Sequence, residues 1–115
     1  MTQQTEIKTL EENIQRAKEL VECGSAMERL RSNRDFKKVV LDGYFKAEAV
    51  RLVHLKADPA MQSDASQASI IRQIDAIGSL SDYFRTVNMA AVQAVRAIQG
   101  DEETLLELQA EEIAA

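Results

Sequence analysis

The 115-residue chain has very few of the residues on which enzymes and metal proteins depend. It contains one cysteine, one histidine and no tryptophan. A single cysteine excludes an internal disulfide and fits a reducing compartment, and a single histidine leaves one possible imidazole base. Neither a Cys-x-x-Cys nor a Glu-x-x-His pattern is present, so the sequence predicts no metal site, no cofactor and no enzyme. We interpret His54 as a structural residue in the last turn of a helix, where a positive charge is favourable. We interpret Cys23 as a small packed side chain.

Turn-forming residues and long apolar runs are also scarce. One proline and four glycines, in a chain that is 45% apolar, favour long helices over turn-rich β structure. No apolar run reaches the roughly 18 residues of a membrane span. The first residues lack the basic and then apolar profile of a signal peptide. The sequence therefore predicts an all-α cytoplasmic protein that does not bind a membrane.

The negative charge is concentrated at one end of the chain. Thirteen acidic and 14 basic residues precede Gly100, whereas residues 100–115 hold six acidic residues and no basic residue. The acidic pI therefore says nothing about the partners of the nearly neutral remainder. Because that remainder has no excess of positive charge, the balance also argues against nucleic acid as a partner.

The segment 34–57 has the most extensive apolar pattern in the chain. Read as an α-helix, it carries apolar side chains over so wide an arc that several neighbours must cover it. Asn33 provides an N-cap in front of it. Asp58 ends it, because a residue before proline is disfavoured in the α conformation. We expect this segment to be the central helix of the domain.

Two further long helices are predicted around it. Residues 5–31 carry a heptad seam with apolar positions in steps of three and four, and we expect a continuous helix that bends at Gly24. Residues 66–99 form the longest helix. Gly100 is predicted to end that helix, and Asp101 to open a short acidic helix that needs a docking surface.

Together these elements predict an all-α fold, an elongated antiparallel bundle of three long helices plus a short acidic C-terminal helix. The bundle spans residues 1–99, and the acidic helix spans residues 100–115 of the same domain. Aromatic pairs at residues 44–45 and 83–84 are expected to anchor the packing of the second and third helices. The predicted core consists of Ile14, Val21, Leu30, Phe36, Val40, Phe45, Leu52, Ile74, Ile77, Phe84, Val87 and Val95.

Two sets of residues are candidates for binding partners. The self-association set, from the heptad seam and the acidic helix, is Ile7, Leu10, Ile14, Leu105 and Leu108. The second set is a basic turn made of Arg29, Arg31, Arg34, Lys37 and Lys38. This basic turn has three interpretations: a solvated surface, a patch for nucleic acid or an acidic partner, or a dock for the acidic helix of the same or another molecule.

Three short motifs carry a resemblance to a known group of proteins. SNRDFKK at residues 32–38, LDGYF at 41–45 and EAVRL at 48–52 resemble small helical proteins of tailed bacteriophages, often encoded among virion and head-assembly genes. The similarity covers about residues 30–99. The resemblance implies a location in the host cytoplasm during assembly, or in the virion, and protein partners rather than small molecules. It implies no catalytic residue.

These observations predict a non-enzymatic bacteriophage structural or assembly protein. It would act through protein–protein association, with other copies of itself as a homo-oligomer or with a virion component. The alternative is a small phage effector that binds and inhibits a host protein or a nucleic acid through the basic turn 29–38. Reversing the charges of Arg31, Arg34 and Lys37 would abolish binding by such an effector, whereas a solvated turn would tolerate the change.

Overall fold

The protein, described here by a computed structural model over residues 2–114, is built from helices. The elements are α1 (Gln3–Ser32), α2 (Arg34–Phe36), the π-helix π1 (Lys37–Glu48), α3 (Ala49–Ala57), a 3₁₀ turn (Pro59–Met61) and α4 (Asp64–Ala114). No strand occurs in that range. The all-α prediction is therefore confirmed.

The predicted central helix exists as α2, π1 and α3 joined end to end. The junction residues keep right-handed helical dihedral angles, so the helical path is uninterrupted. At its start the Asn33 Oδ1 accepts a hydrogen bond from the Phe36 backbone N–H at 2.9 Å. At its end Asp58, before the proline, is extended with a ψ of 126°. Both ends lie where the cap and the proline predict them.

The π-helix explains why α-helical spacing misplaces several side chains of this segment. Hydrogen bonds from i to i+5 put more residues into each turn, so a stripe drawn at α spacing rotates away from the packed face. Val39 and Val50, which α spacing groups with Phe36, are exposed. A glycine inside a helix can allow a close contact with another helix. At Gly43, however, the atom nearest to an added Cβ would be the carbonyl oxygen of Lys38, at 3.1 Å in the same helix.

The last helix continues beyond the position where it was predicted to stop. α4 runs through Gly100 with no positive φ, and the Gly100 carbonyl accepts a hydrogen bond from Thr104 Oγ1 at 3.1 Å. The expected break and the separate short acidic helix over residues 100–115 are therefore wrong. An internal glycine costs about 1 kcal/mol relative to alanine. Partial burial of Leu105 and Leu108 on the following turns offsets that cost.

Contacts divide the chain into two compact units. Among the described residues, unit 1 consists of residues 2–26 and 87–114, and unit 2 consists of residues 27–86. Each unit therefore combines part of α1 with part of α4, and unit 2 also contains all of α2, π1 and α3.

Unit 1 pairs the first part of α1 with the last part of α4. Gln3 Nε2 donates a hydrogen bond to Glu111 Oε2 at 2.9 Å. Towards the other end of the pair, a Cβ added at Gly24 would overlap the Cβ of Ala91. Residue numbers thus rise along α1 as they fall along α4. α1 is continuous through Gly24, where the glycine permits a close approach of the two helices. The buried apolar side chains of unit 1 are Ile14, Ala17 and Ala94.

Unit 2 is built around larger side chains. Leu52, Ile70 and Ile77 form its buried cluster, with six partly buried apolar residues against them. The Phe84 ring lies 5.5 Å from Phe45 and 6.0 Å from Phe36, measured between centroids. The prediction that the aromatic pairs anchor helix packing is confirmed for these phenylalanines.

The predicted core is right for ten of its twelve residues, which are buried or half-buried. Leu30 and Val95 are wrong, since they are 41% and 43% exposed. Leu30 lies in the last turns of α1, and Val95 lies on a flank of α4, roughly 100° around the helix from the residues that face α1. The core also contains Ala17, Met27, Ile70 and Ala94, which are not among the twelve predicted residues.

Candidate interaction surface

The basic turn is fully accessible. It runs from the last turns of α1 through α2 into π1, and all five of its residues are exposed. Within residues 2–114, no ion pair engages Arg31, Arg34, Lys37 or Lys38. These four cations of unit 2 are therefore exposed to solvent and available to an acidic partner.

The aromatic residue beside the basic turn is not available to a ligand. Phe36 is half-buried and packs on Phe84 within unit 2. Proteins that bind single-stranded nucleic acid combine positive charge with exposed aromatic rings on which bases stack. The basic turn supplies only the charge, which suits an acidic group better than a stacked base.

The side chains of the self-association set are partly or fully buried within the chain. Ile14 is buried, and Ile7, Leu10, Leu105 and Leu108 are half-buried. The register of the two helices in unit 1 places Ile7 level with Leu108, and Leu10 level with Leu105. Part of the apolar surface of this set is therefore covered within unit 1, and the set offers a second copy less apolar surface than fully exposed side chains would.

A different stripe of α4 remains open. It is offset by roughly 100° around the helix from the residues that face α1. We call it the outer stripe, and its positions follow heptad steps of three and four: Val92, Val95, Gln99, Glu102, Leu106, Gln109 and Ile113. Its four apolar members are exposed by 56%, 43%, 67% and 86% in chain order. This is the pattern of a coiled-coil seam without its partner.

The outer stripe could have been found in the sequence. Val95 lies in the predicted helix over residues 66–99, whereas Ile113 lies in the predicted acidic helix over residues 100–115. A break at Gly100 would separate those two helices and hide the heptad register that runs from one into the other. A continuous α4 joins both halves into one stripe.

Unit 2 also exposes apolar side chains, but on a differently built surface. They are Leu30, Val39, Val50, Val53, Ile71 and Tyr83. Val39 lies in π1, whereas Val50 and Val53 lie in α3, so this surface changes helical geometry partway along. An α-helical partner matches a constant helical spacing, which the outer stripe has and this surface lacks.

The concave surfaces are small. Unit 2 has a cleft of about 240 Å³ lined by Tyr44, Glu48, Leu52, Gln73, Ala76 and Ile77. Unit 1 has an open groove of about 290 Å³, half of whose lining residues are alanines. A second open groove of unit 1, of about 330 Å³, lies along α4 and is lined by Asn88, Met89, Val92, Gln93 and Arg96. Ligand pockets usually measure about 300–1,000 Å³ and enclose most of the ligand, so two of these concavities fall below that range and the third lies at its lower end.

The carboxylate that lines the unit 2 cleft is already paired. Arg51 Nε donates a hydrogen bond to Glu48 Oε1 at 2.8 Å. That hydrogen bond, together with the positive charge of Arg51, lowers the pKa of Glu48 from its ordinary value. A carboxyl group held in its ionised form is poorly suited to act as a general acid near neutral pH.

The two remaining reactive residues, His54 and Cys23, lie on different helices. His54 lies in the last turn of α3 and is exposed. Cys23 is exposed, so its interpretation as a packed side chain is wrong. Within residues 2–114, no cluster of three or more histidine, cysteine or acidic residues could hold a metal ion. No helix in the same range is long and apolar enough to cross a bilayer.

Comparison with known proteins adds no assignment. No family model, curated protein or solved structure matches the chain. Its function must therefore be argued from its own surfaces, of which the outer stripe and the basic turn are the two best defined.

Proposed function

We propose that the protein is a non-enzymatic structural or assembly protein that acts by associating with other copies of itself. The observation that carries this proposal is the outer stripe, a heptad pattern whose apolar side chains are all exposed. Large exposed apolar patches on folded proteins mark interaction surfaces. A helix with an unpaired heptad seam is completed most directly by another helix.

The proposed setting is the assembly of a tailed bacteriophage, in the host cytoplasm or in the virion. Its support is the resemblance of the motifs between residues 32 and 52 to small helical proteins of such phages. An antiparallel bundle of three long helices would suit that role, because it presents long faces to neighbouring subunits. Detection of the protein in purified particles by mass spectrometry would support a virion role, and its absence from them would count against one.

The experiment that tests self-association is the molar mass in solution. Light scattering behind a sizing column, over a wide range of loading concentrations, should give a mass that rises from one chain of 12.8 kDa to a defined multiple. A mass of one chain at every concentration would refute the proposal.

Point substitutions are preferable to truncation in this experiment. Removing the residues after Gln99 would also remove the half-buried Leu105 and Leu108. It would remove Glu111 as well, which accepts a hydrogen bond from Gln3. The truncated chain would expose the apolar side of α1. A change in its mass would then report damage to unit 1 rather than the loss of an interface.

A second candidate function is binding of an acidic partner through the basic turn. The favouring observation is that Arg31, Arg34, Lys37 and Lys38 are exposed and form no ion pair within the described residues. Such a protein would be a phage effector that inhibits a host protein or a nucleic acid. Charge reversal at Arg31, Arg34 and Lys37 should then abolish capture of the partner while far-ultraviolet circular dichroism stays unchanged. Unchanged capture would remove this candidate.

A further inference from the structure

We propose that the occupant of the outer stripe is the outer stripe of a second copy, running in the opposite direction. The inference rests on the proposed self-association and specifies its partner surface, direction and register. It depends on three features of α4: the spacing of its exposed apolar residues, the distribution of charge along it, and two charged residues beside the stripe.

The charge distribution selects the direction. Between Thr86 and Gly100, Arg96 is the only charged residue, whereas residues 101–112 hold six acidic residues. A parallel pair would bring the two acidic segments together, and like charges in that arrangement repel. An antiparallel pair places each acidic segment beside the segment of the second copy that carries Arg96. Charge complementarity therefore favours the antiparallel arrangement.

The apolar residues select the register. In an antiparallel coiled coil, a-type positions face d-type positions of the other helix. One register sets Val95 against Leu106 of the second copy, and by symmetry repeats that contact on the other side of the axis. The same register brings Val92 opposite Gln109, Ile113 opposite Asn88 and Gln99 opposite Glu102. The register shifted by one heptad that sets Val92 against the carboxylate of Glu102 would also set Leu106 against Asn88 and Ile113 against Ser81, so that no two apolar residues of the stripe would meet.

Two charged residues beside the stripe fit this register. Arg96 and Glu103 each follow a d-type position, so they occupy equivalent flanking positions, which meet across an antiparallel pair. Both are exposed, and neither forms an ion pair within the described part of the chain. Arg96 of each copy would lie beside Glu103 of the other copy, so the symmetric pair contains this contact twice.

The size of the interface sets the expected strength. The part of α4 that would be paired, from Asn88 to Ile113, is about 38 Å long, and a helix presents a strip about 10 Å wide. Each copy would bury roughly 400 Å², about half of what a standard interface buries per partner. We therefore expect a dissociation constant in the micromolar range and a mass that depends on concentration.

The first test is a charge exchange read out by sedimentation equilibrium of the full chain. Arg96→Glu and Glu103→Arg should each raise the dissociation constant of the dimer by roughly tenfold, because each creates two like-charge contacts. The double variant Arg96→Glu/Glu103→Arg should recover the original dissociation constant. The matched control is Glu107→Arg, which makes the same charge change off the stripe and should have little effect. Failure of the double variant to recover would overturn the proposed register.

The second test uses the apolar side chains. Leu106→Asp should abolish the dimer, whereas Val53→Asp in unit 2, at a position of similar exposure (62% against 67%), should leave it intact. Both side chains are largely in water, so neither change should unfold the chain, and circular dichroism checks this. An oligomer that Val53→Asp breaks and Leu106→Asp spares would overturn this inference and leave self-association standing. A monomer at every concentration would overturn both proposals.

Discussion

The two units bury the faces of paired helices with side chains of opposite size. In unit 2, Leu52, Ile70 and Ile77 form a cluster of large aliphatic side chains flanked by aromatic rings. In unit 1, Gly24 and Ala91 meet so closely that no added Cβ would fit between them. Small residues let helices approach closely but remove little apolar surface from water, whereas large residues remove more.

This difference bears on the proposed self-association of unit 1. Burial stabilises by about 25 cal/mol for each Å² of apolar surface, so the larger side chains of unit 2 give it the stronger core. Unit 1 is a two-helix layer with three buried apolar side chains and an apolar stripe left in water. We infer that unit 2 accounts for most of the stability of the chain, whereas unit 1 carries the surface of the proposed association.

The largest expected effect comes from removing the centre of the unit 2 core. Leu52 is 0% exposed, so Leu52→Ala should lower the free energy of unfolding by about 2–5 kcal/mol through lost burial and the cavity left behind. Val53→Ala, one residue along on the exposed side of α3, should change it by less than about 0.5 kcal/mol. Urea denaturation followed by circular dichroism measures both. Equal effects of the two substitutions would show that Leu52 is not central to the core.

Replacing the two glycines of unit 1 with alanine should have smaller effects on the free energy of unfolding, in opposite directions. Alanine is the better helix former, by about 1 kcal/mol. Gly100→Ala, where an added Cβ would meet nothing within 4 Å, should therefore raise the free energy of unfolding by up to that amount. Gly24→Ala should instead lower it by about 1–3 kcal/mol, because the new Cβ overlaps Ala91.

The control for Gly24→Ala removes the Cβ of Ala91, which the new Cβ would overlap. In a chain that also carries Ala91→Gly, the substitution should cost markedly less, since the space that Gly24 provides is then provided by the other helix. If Gly24→Ala were stabilising on its own, the close approach of α1 and α4 in unit 1 would be contradicted.

The N-cap of the central helix should contribute less than either packing feature. Asn33→Ala removes the acceptor of the Phe36 backbone N–H and should cost about 1 kcal/mol. Ser32→Ala is the matched control, because the Ser32 hydroxyl donates to the Glu28 carbonyl within α1 and caps nothing. A cost at Ser32 that equals the cost at Asn33 would argue against a specific cap.

Much of unit 2 could be predicted because its signals are local. Asn33 and Pro59 mark the ends of the central helix, and the large apolar residues Leu52, Ile77 and Phe84 mark its core. Their effects depend on chain geometry near each residue, or on side chains whose size requires burial. Sequence patterns report such effects directly.

The predictions that were wrong share a physical origin. Each concerns a feature that is set by a neighbouring helix or by the type of helix. Gly100 resembles a helix end, yet partial burial of Leu105 and Leu108 keeps the helix going through it. Ala17 and Ala94 are buried because Gly24 allows the helices to approach closely, which no property of an isolated alanine reveals. The π-helix likewise rotates its side chains off the stripe that α spacing predicts.

The smallest expected effect is a dependence of stability on pH through Glu48. Its hydrogen bond from Arg51 lowers its pKa in the folded chain below the ordinary value of 4.5, so the unfolded chain takes up this proton at a higher pH. The resulting stabilisation is complete above the ordinary pKa and is lost as the pH falls through the folded pKa. Because both side chains are partly in water, the effect should be modest.

Substitution of either partner tests the origin of this dependence. Glu48→Gln and Arg51→Gln should each reduce the loss of stability that urea denaturation records as the pH falls below 4.5. The double variant should show no further reduction, because both single changes remove the same interaction. Additive reductions would mean that Glu48 and Arg51 act through different neighbours, and the acid sensitivity of unit 2 would then have to come from carboxylates other than Glu48.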